Sequence, residues 1–203
     1  PFLKFKPTVI KNDRGYLTQS ELDAIESKDI HNASLRAVRD MFIFSCYTGL
    51  AFIDTYRLRW ENIGLGIDGN LWITICRQKT GVKSQIPLLP QALKVLENFK
   101  VHPKAITTGN PVPMLSNQRF NSYLKELADI CSVDKNVTHH LARHTFATTV
   151  CLANGVSLEA LAGMMGHASI RTTQIYARIL QKRISFEMQN LREGLEGRKT
   201  NSL

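Results

Sequence analysis

Apolar residues along this chain recur at two spacings, and the change from one to the other predicts an α+β domain, mostly α-helical with a small antiparallel sheet. From Ala33 to Thr48, Leu35, Val38, Phe42 and the Ser45/Cys46 pair recur at helical spacing, and Gly49 follows as a stop. Upstream, Thr18-Gln-Ser-Glu21 has the form of a capping box, so a helix starts there. Between Leu71 and Arg77 the period drops to two among β-branched residues, which predicts a strand. Lys83 to Leu88 predicts a second strand, with Gly81 in the turn between them. Pro90 to Phe99 predicts a helix carrying proline in its first turn. Residues 101–114 hold three prolines and predict a loop. Helices are then expected over about 116–131, 138–153, 157–165 and 169–190, the last with Ser169 as its N-cap.

Composition narrows the picture. The chain has 203 residues, enough for one domain plus tails, and at 43% hydrophobic it can bury a core. Its formal charge of +9 favours a polyanionic partner, because each neutralised phosphate releases counterions. Charge alone leaves open a basic protein with no nucleic-acid role. Cys46, Cys76, Cys131 and Cys151 are widely spaced and form no CxxC pair, which argues against a zinc ribbon or a disulfide framework. Free thiols in a reducing cytosol are expected. No apolar run reaches about 18 residues, so no transmembrane partner is expected. The chain starts at Pro1 and reads as a fragment. Residues 1–17 are expected to be a linker, 18–190 the main domain and 191–203 a tail. From Arg171 to Leu203, seven Lys/Arg stand against three Asp/Glu, so the C-terminal stretch is basic.

The candidate chemistry lies in the last third. THHLARHTFATT is followed by LAGMMGHASIRTTQIYARIL, which places His140, Arg143, His167 and Tyr176 in succession. That order suits attack by a tyrosine oxygen on a DNA phosphate. The five-coordinate state of such an attack gathers negative charge on the non-bridging oxygens. The arginine fork matches two of those oxygens and keeps its charge. His140, three residues before Arg143, shares its helix face and can donate to the phosphate or help remove the tyrosine proton. Alone, HxxR is equally a surface helix pair. His144 reads as packing beneath the site and His139 as a solvated neighbour. Gly166 permits a tight turn that presents His167, and Tyr176 follows nine residues later. A tyrosine on a helix is usually half-buried packing, the reading given to Tyr47, Tyr56 and Tyr123. A free phenol titrates near ~10, so near neutrality ionisation carries a handicap of about 4 kcal/mol that nearby cations reduce.

These motifs resemble the catalytic domain of the tyrosine recombinases, the phage-integrase family, and within it the integrases of conjugative and mobilisable elements. The resemblance implies the tyrosine recombinase catalytic-domain fold, with Tyr176 as nucleophile. It also implies a general-acid lysine on a β-hairpin. In RQKTGVKSQIPL this is Lys79, with Lys83 as the weaker candidate and a solvated hairpin lysine as the bland reading. TGLAFIDTYRLRWENI resembles the family's first box, TGLRxSELxxLxWxDI, at Thr48, Gly49, Leu50, Asp54, Leu58, Trp60 and Ile63. The box's catalytic arginine would stand at position 51, which is Ala51 here. Losing one preorganised donor costs ~10²–10³ in rate. Two readings follow. Either another arginine reaches the phosphate, Arg39 first and then Arg57 and Arg36, or the domain is an impaired, DNA-binding module. Asp54 is expected to buttress the site.

The implied reaction joins Tyr176 to a 3′ phosphate and frees a 5′ hydroxyl. A partner strand's hydroxyl then reverses the step, with no cofactor, metal or ATP. Double-stranded DNA is the implied partner, with a homotetramer on DNA, a monomer as an isolated domain, and a place in the bacterial cytoplasm at the nucleoid. The segment beyond about Arg183 would be exchanged between neighbours. Two rivals remain. His140 and His144, at i and i+4, could chelate zinc, but the stretch lacks the glutamate of HExxH. A type IB topoisomerase uses similar chemistry without partner exchange.

Overall fold

The computed structural model describes residues 15–176 together with 184, 185, 188, 189 and 192. Chain order is α1 (Gln19–Ser27), α2 (Ala33–Thr48), α3 (Phe52–Tyr56), a 3-10 turn (Trp60–Asn62), β1 (Ile63–Leu65), β2 (Leu71–Cys76) and β3 (Lys83–Pro87). Then come α4 (Pro90–Lys100), α5 (Pro103–Thr108), α6 (Asn117–Ile130) and α7 (His139–Thr145). A π-helical turn (Phe146–Cys151) and a 3-10 turn (Leu152–Asn154) lead to α8 (Leu158–Met164), α9 (Ile170–Thr173) and a 3-10 turn (Gln174–Tyr176).

Helix α2 is the centre of the domain and packs against α4, α6 and α7. Its second half is buried on every side from Met41 to Thr48, as a helix enclosed by others must be. Phe42 and Phe44 are fully buried there, and truncating either to alanine removes about 3–5 kcal/mol. Asn32 caps the helix start, and Gly49 ends it in the left-handed region at φ 63°. A side chain at Gly49 would also run into the Phe146 ring. The chain therefore turns there directly against the start of the π-helical turn.

The sheet is antiparallel in the order β1-β2-β3. Ile73 opposes Ile86 and both are buried, so this face of β2 looks inward. By the two-residue period, Ile75 and then Arg77 continue that inward face. Helix α8 packs on β3 and α9 packs on α8, which brings the segment leading to Tyr176 back toward the hairpin.

The predicted capping box at Thr18 and Glu21 is present. Residues 101–114 are not all loop: His102 caps α5, Pro103 occupies its first turn and Gly109 stops it at φ 67°. Proline at a first turn costs no hydrogen bond, so it opens this helix instead of breaking it. The stretch expected as one helix over 138–153 changes pitch at Phe146. The widened turn lets Thr149 Oγ1 donate to the Leu17 carbonyl while Thr145 Oγ1 accepts from the Leu17 amide at 3.0 Å. Leu17, placed in the expected linker, is thereby fully buried in the core. The short α3 and β1 carried too few residues to show a period. Residues 1–14 of the expected linker, the 191–203 tail apart from Arg192, and most of the 169–190 helix beyond Tyr176 lie outside the described residues.

Candidate active site

The site forms where four segments meet: the turn after α2, the β2–β3 hairpin, α7, and the loop from α8 to Tyr176. Arg143 projects from α7 and is only 7% exposed. Its guanidinium donates to the Gly49 carbonyl, to the Met165 carbonyl at 2.7 Å and to His167 Nε2 at 3.1 Å. Arginine can only donate, so His167 Nε2 accepts and the ring proton sits on Nδ1, which donates to Thr173 Oγ1 at 2.8 Å. This fixes His167 as the neutral imidazole. Burial, then the Arg143 and Arg77 charges, push its pKa down to about 4. The same causes act on Arg143: burial first, then the Arg77 charge, bring it down to about 10, against the opposing pull of Tyr176 and Asp54.

Arg77 is the residue that sequence reasoning missed. It follows β2, is 7% exposed, and donates through Nε to Asp54 Oδ2 at 2.6 Å. Its Nη1 donates to the Met165 carbonyl, the same oxygen that Arg143 holds. Asp54 also accepts from the Gln78 amide at 2.9 Å, so it braces the hairpin as well as the arginine. Asp54 lies three residues after Ala51 in α3, and the Gly49 carbonyl held by Arg143 lies two residues before Ala51. The two arginines thus flank the turn where the first-box arginine would project. A signal was present: alternation from Ile73 through Ile75 carries Arg77 onto the buried face, and a buried guanidinium calls for a carboxylate.

Gly166 makes this arrangement possible. Its φ is 57°, and a Cβ there would lie 2.5 Å from Arg77 Cγ. Thr80 Oγ1 donates to the Gly166 carbonyl at 3.2 Å, and Ser84 Oγ donates to that of Met164. The hairpin carrying Lys79 is therefore anchored to the turn carrying His167. Lys79 itself is exposed at the hairpin tip, and Lys83 is exposed on β3.

Tyr176 is 6% exposed, and its hydroxyl lies 2.7 Å from His144 Nδ1. His144, read from sequence as packing beneath the site, touches the phenol directly. His140 is exposed one turn earlier, its ring edge-on to that of His144 with centroids 4.4 Å apart. His139 is not the solvated neighbour expected. It is 4% exposed, its Nε2 lies 3.1 Å from Ser45 Oγ, and its ring meets Phe52 edge-on. Ser45 Oγ spends its own proton on the Met41 carbonyl, so His139 is the donor.

Arg39 is not gathered into this cluster. It pairs with Asp40 at 2.8 Å and donates to the Lys28 carbonyl, beside α1. Arg57 donates to Gln78 Oε1 at the hairpin base, and Arg36 is exposed on α2. Among the described residues, no group of three or more His, Cys, Asp or Glu is placed to hold a metal, and no helix is long and apolar enough to cross a membrane. All four cysteines are free.

Residues 16–183 match the phage integrase family, and the chain belongs to it. Its fold is that of the tyrosine recombinase catalytic domains. The tyrosine recombinase XerD of Lacticaseibacillus casei is 29% identical over 175 residues, covering 80% of this chain and 58% of that protein. The tyrosine recombinase XerA of Pyrococcus furiosus is 31% identical over 162 residues, covering 74% and 54%. The chain thus spans little more than half the length of these two relatives. Among solved structures, a XerA recombinase superposes with a TM-score of 0.64 at 23% identity, over 85% of this chain and 65% of that one. The XerH site-specific recombinase in a post-cleavage complex with palindromic difH substrate gives 0.65 at 19%, over 86% and 52%. The Tn1549 transposon integrase in complex with transposon right-end DNA gives 0.66 at 17%, over 87% and 67%.

Proposed function

We propose that this chain is the catalytic domain of a site-specific DNA recombinase of the integrase type. Tyr176 attacks a scissile phosphate, forms a 3′-phosphotyrosine link and frees a 5′ hydroxyl. Attack by a partner strand's 5′ hydroxyl reseals the backbone. The link conserves the phosphodiester energy, so the exchange consumes no ATP. Double-stranded DNA is the substrate, bound by a homotetramer. The basic balance of the chain and the DNA complexes of its structural neighbours support that partner.

One observation carries the reading: a buried pair of guanidiniums stands beside a buried tyrosine with one positive charge in excess. Arg77, Arg143 and Asp54 are all under a tenth exposed, and among the described residues no carboxylate pairs with Arg143. Uncompensated buried charge is costly unless an anion completes it. A phosphate is such an anion, and as a charged acceptor it binds a guanidinium more strongly than the Met165 carbonyl does. We assign Arg77 the phosphate contact that position 51 does not supply. That assignment favours an active enzyme over an impaired DNA-binding module. His140 donates to the phosphate oxygens, His167 accepts from Arg143 and so orients its guanidinium toward the phosphate, and Lys79, on the anchored hairpin, protonates the leaving 5′ oxygen.

The test is covalent trapping on nicked suicide duplexes drawn from a randomised pool, in EDTA. The expected result is a protein–DNA adduct that survives SDS and disappears in Tyr176→Phe. Binding without any adduct, in wild type and in Ala51→Arg alike, would overturn the reading in favour of a binding module.

A further inference from the structure

Resting on that reading, the geometry points to His144 as the base that takes the Tyr176 proton during attack on the phosphate. The phenol must lose a proton as its oxygen bonds to phosphorus, and a group within hydrogen-bond reach has to accept it. His144 Nδ1 is at 2.7 Å from the hydroxyl, in a buried contact. Its ring lies 5.4 Å from the Tyr176 ring, centroid to centroid, inclined at 60°.

The other members of the site are placed differently. Arg143 and Arg77 are donors only. His167 accepts from Arg143 at Nε2 and faces Thr173 at Nδ1. Lys79 is exposed at the hairpin tip. His140 meets His144 edge-on, with ring centroids 4.4 Å apart, and connects it to the exposed rim of the site.

In the step, the Tyr176 oxygen forms its bond to phosphorus as its proton passes to His144 Nδ1. The bond from phosphorus to the 5′ oxygen breaks, and Lys79 supplies the proton that oxygen needs. His144 becomes an imidazolium beside a phosphorane that is gaining negative charge. In resealing, the same proton returns to the departing phenol oxygen. His144 is thus set apart from its neighbour Arg143: one handles the nucleophile's proton, the other the charge on the phosphate.

The test uses the chain on a nicked duplex selected from a randomised pool, with the rate of adduct formation as readout. His144→Asn keeps an acceptor near the Nδ1 position but takes no proton, and should slow cleavage by ~10²–10⁴. In His144→Gly, added imidazole should restore cleavage in proportion to its concentration. A 5′-bridging phosphorothiolate duplex separates the two proton transfers, because a sulfur leaving group needs no proton. It should rescue Lys79→Ala and leave His144→Asn slow. Thermal melting and duplex affinity of each variant report folding; if His144→Gly does not fold, His144→Asn decides. The inference is overturned if His144→Asn cleaves within about threefold of wild type, if the sulfur substrate rescues it, or if folded His144→Gly ignores imidazole. Binding without any adduct, in wild type and in Ala51→Arg alike, defeats the recombinase reading and this inference together. An adduct formed at the wild-type rate by the His144 variants defeats this inference alone.

Discussion

Arg77 and Arg143, which come from a hairpin and a helix 66 positions apart in the sequence, donate to one oxygen, the carbonyl of Met165. Two like charges meet there because Asp54 holds Arg77 and the bare turn at Gly166 leaves room for that same side chain beside Arg143. The arrangement concentrates the consequences of substitution on a few positions.

Arg77→Ala should lower the rate of adduct formation by ~10²–10³, the usual loss for one preorganised donor. Arg77→Lys should recover part of it, since an ammonium keeps the charge without the fork. Adding Ala51→Arg to Arg77→Ala should restore more. Arg39→Ala, whose side chain is held by Asp40 and the Lys28 carbonyl, should stay within about twofold of wild type. A large loss in Arg39→Ala with none in Arg77→Ala would reverse the assignment.

Asp54→Ala strands the Arg77 guanidinium in a site where both partners are nearly buried. Breaking such a pair destabilises by about 3–5 kcal/mol. Urea unfolding should show that loss, and the double variant with Arg77→Ala should regain much of it. Additive losses would mean that the two side chains act independently.

Gly166→Ala combines a left-handed backbone, costing about 1–2 kcal/mol with a Cβ, with a contact 2.5 Å from Arg77 Cγ. The melting temperature should fall, and cleavage should fall further than stability alone explains, because Arg77 is displaced from the Met165 carbonyl. Wild-type cleavage in a folded Gly166→Ala would count against the role given to Arg77.

Stability should fall in mild acid. Burial first, then the Arg143 and His140 charges, push the pKa of His139 down to about 3. A histidine in the unfolded chain titrates near ~6.5. Below that pH the unfolded chain binds a proton that the folded one refuses. The stabilisation is therefore complete above about pH 6.5 and is lost as pH falls toward 3. At pH 5 the loss from this residue is about 2 kcal/mol, and His167 adds a loss of the same sign. Urea midpoints at pH 7.5 and pH 5 should show it. In His139→Gln, whose amide can still donate to Ser45, the difference should shrink. An unchanged difference would place the acid sensitivity elsewhere.

Much of this protein follows from local chemistry that a sequence carries in full. The capping box at Thr18, the span of α2 with its Gly49 stop and the two long strands depend on neighbours a few positions apart. Periodicity and capping report on such neighbours directly. Residues 101–114 misled because prolines mark both loops and first helical turns, and only the His102 cap and the Gly109 stop separate the two. The sequence names candidate site residues, but not their relations to one another, and it left Arg77 out. Ala51 showed that an arginine was missing, yet Arg39, Arg57 and Arg36 all sit closer to it in sequence than Arg77 does. Tertiary structure alone decided that Arg39 turns to Asp40, that Arg77 reaches Asp54 and Met165, and that His144 meets the Tyr176 hydroxyl. Those contacts join segments 23 to 88 positions apart, apart from the Arg39–Asp40 pair, and depend on how α3, the hairpin, α7 and the Gly166 turn pack on one another. A sequence states which charges are present. Packing decides which of them are buried together, and that decides what they can do.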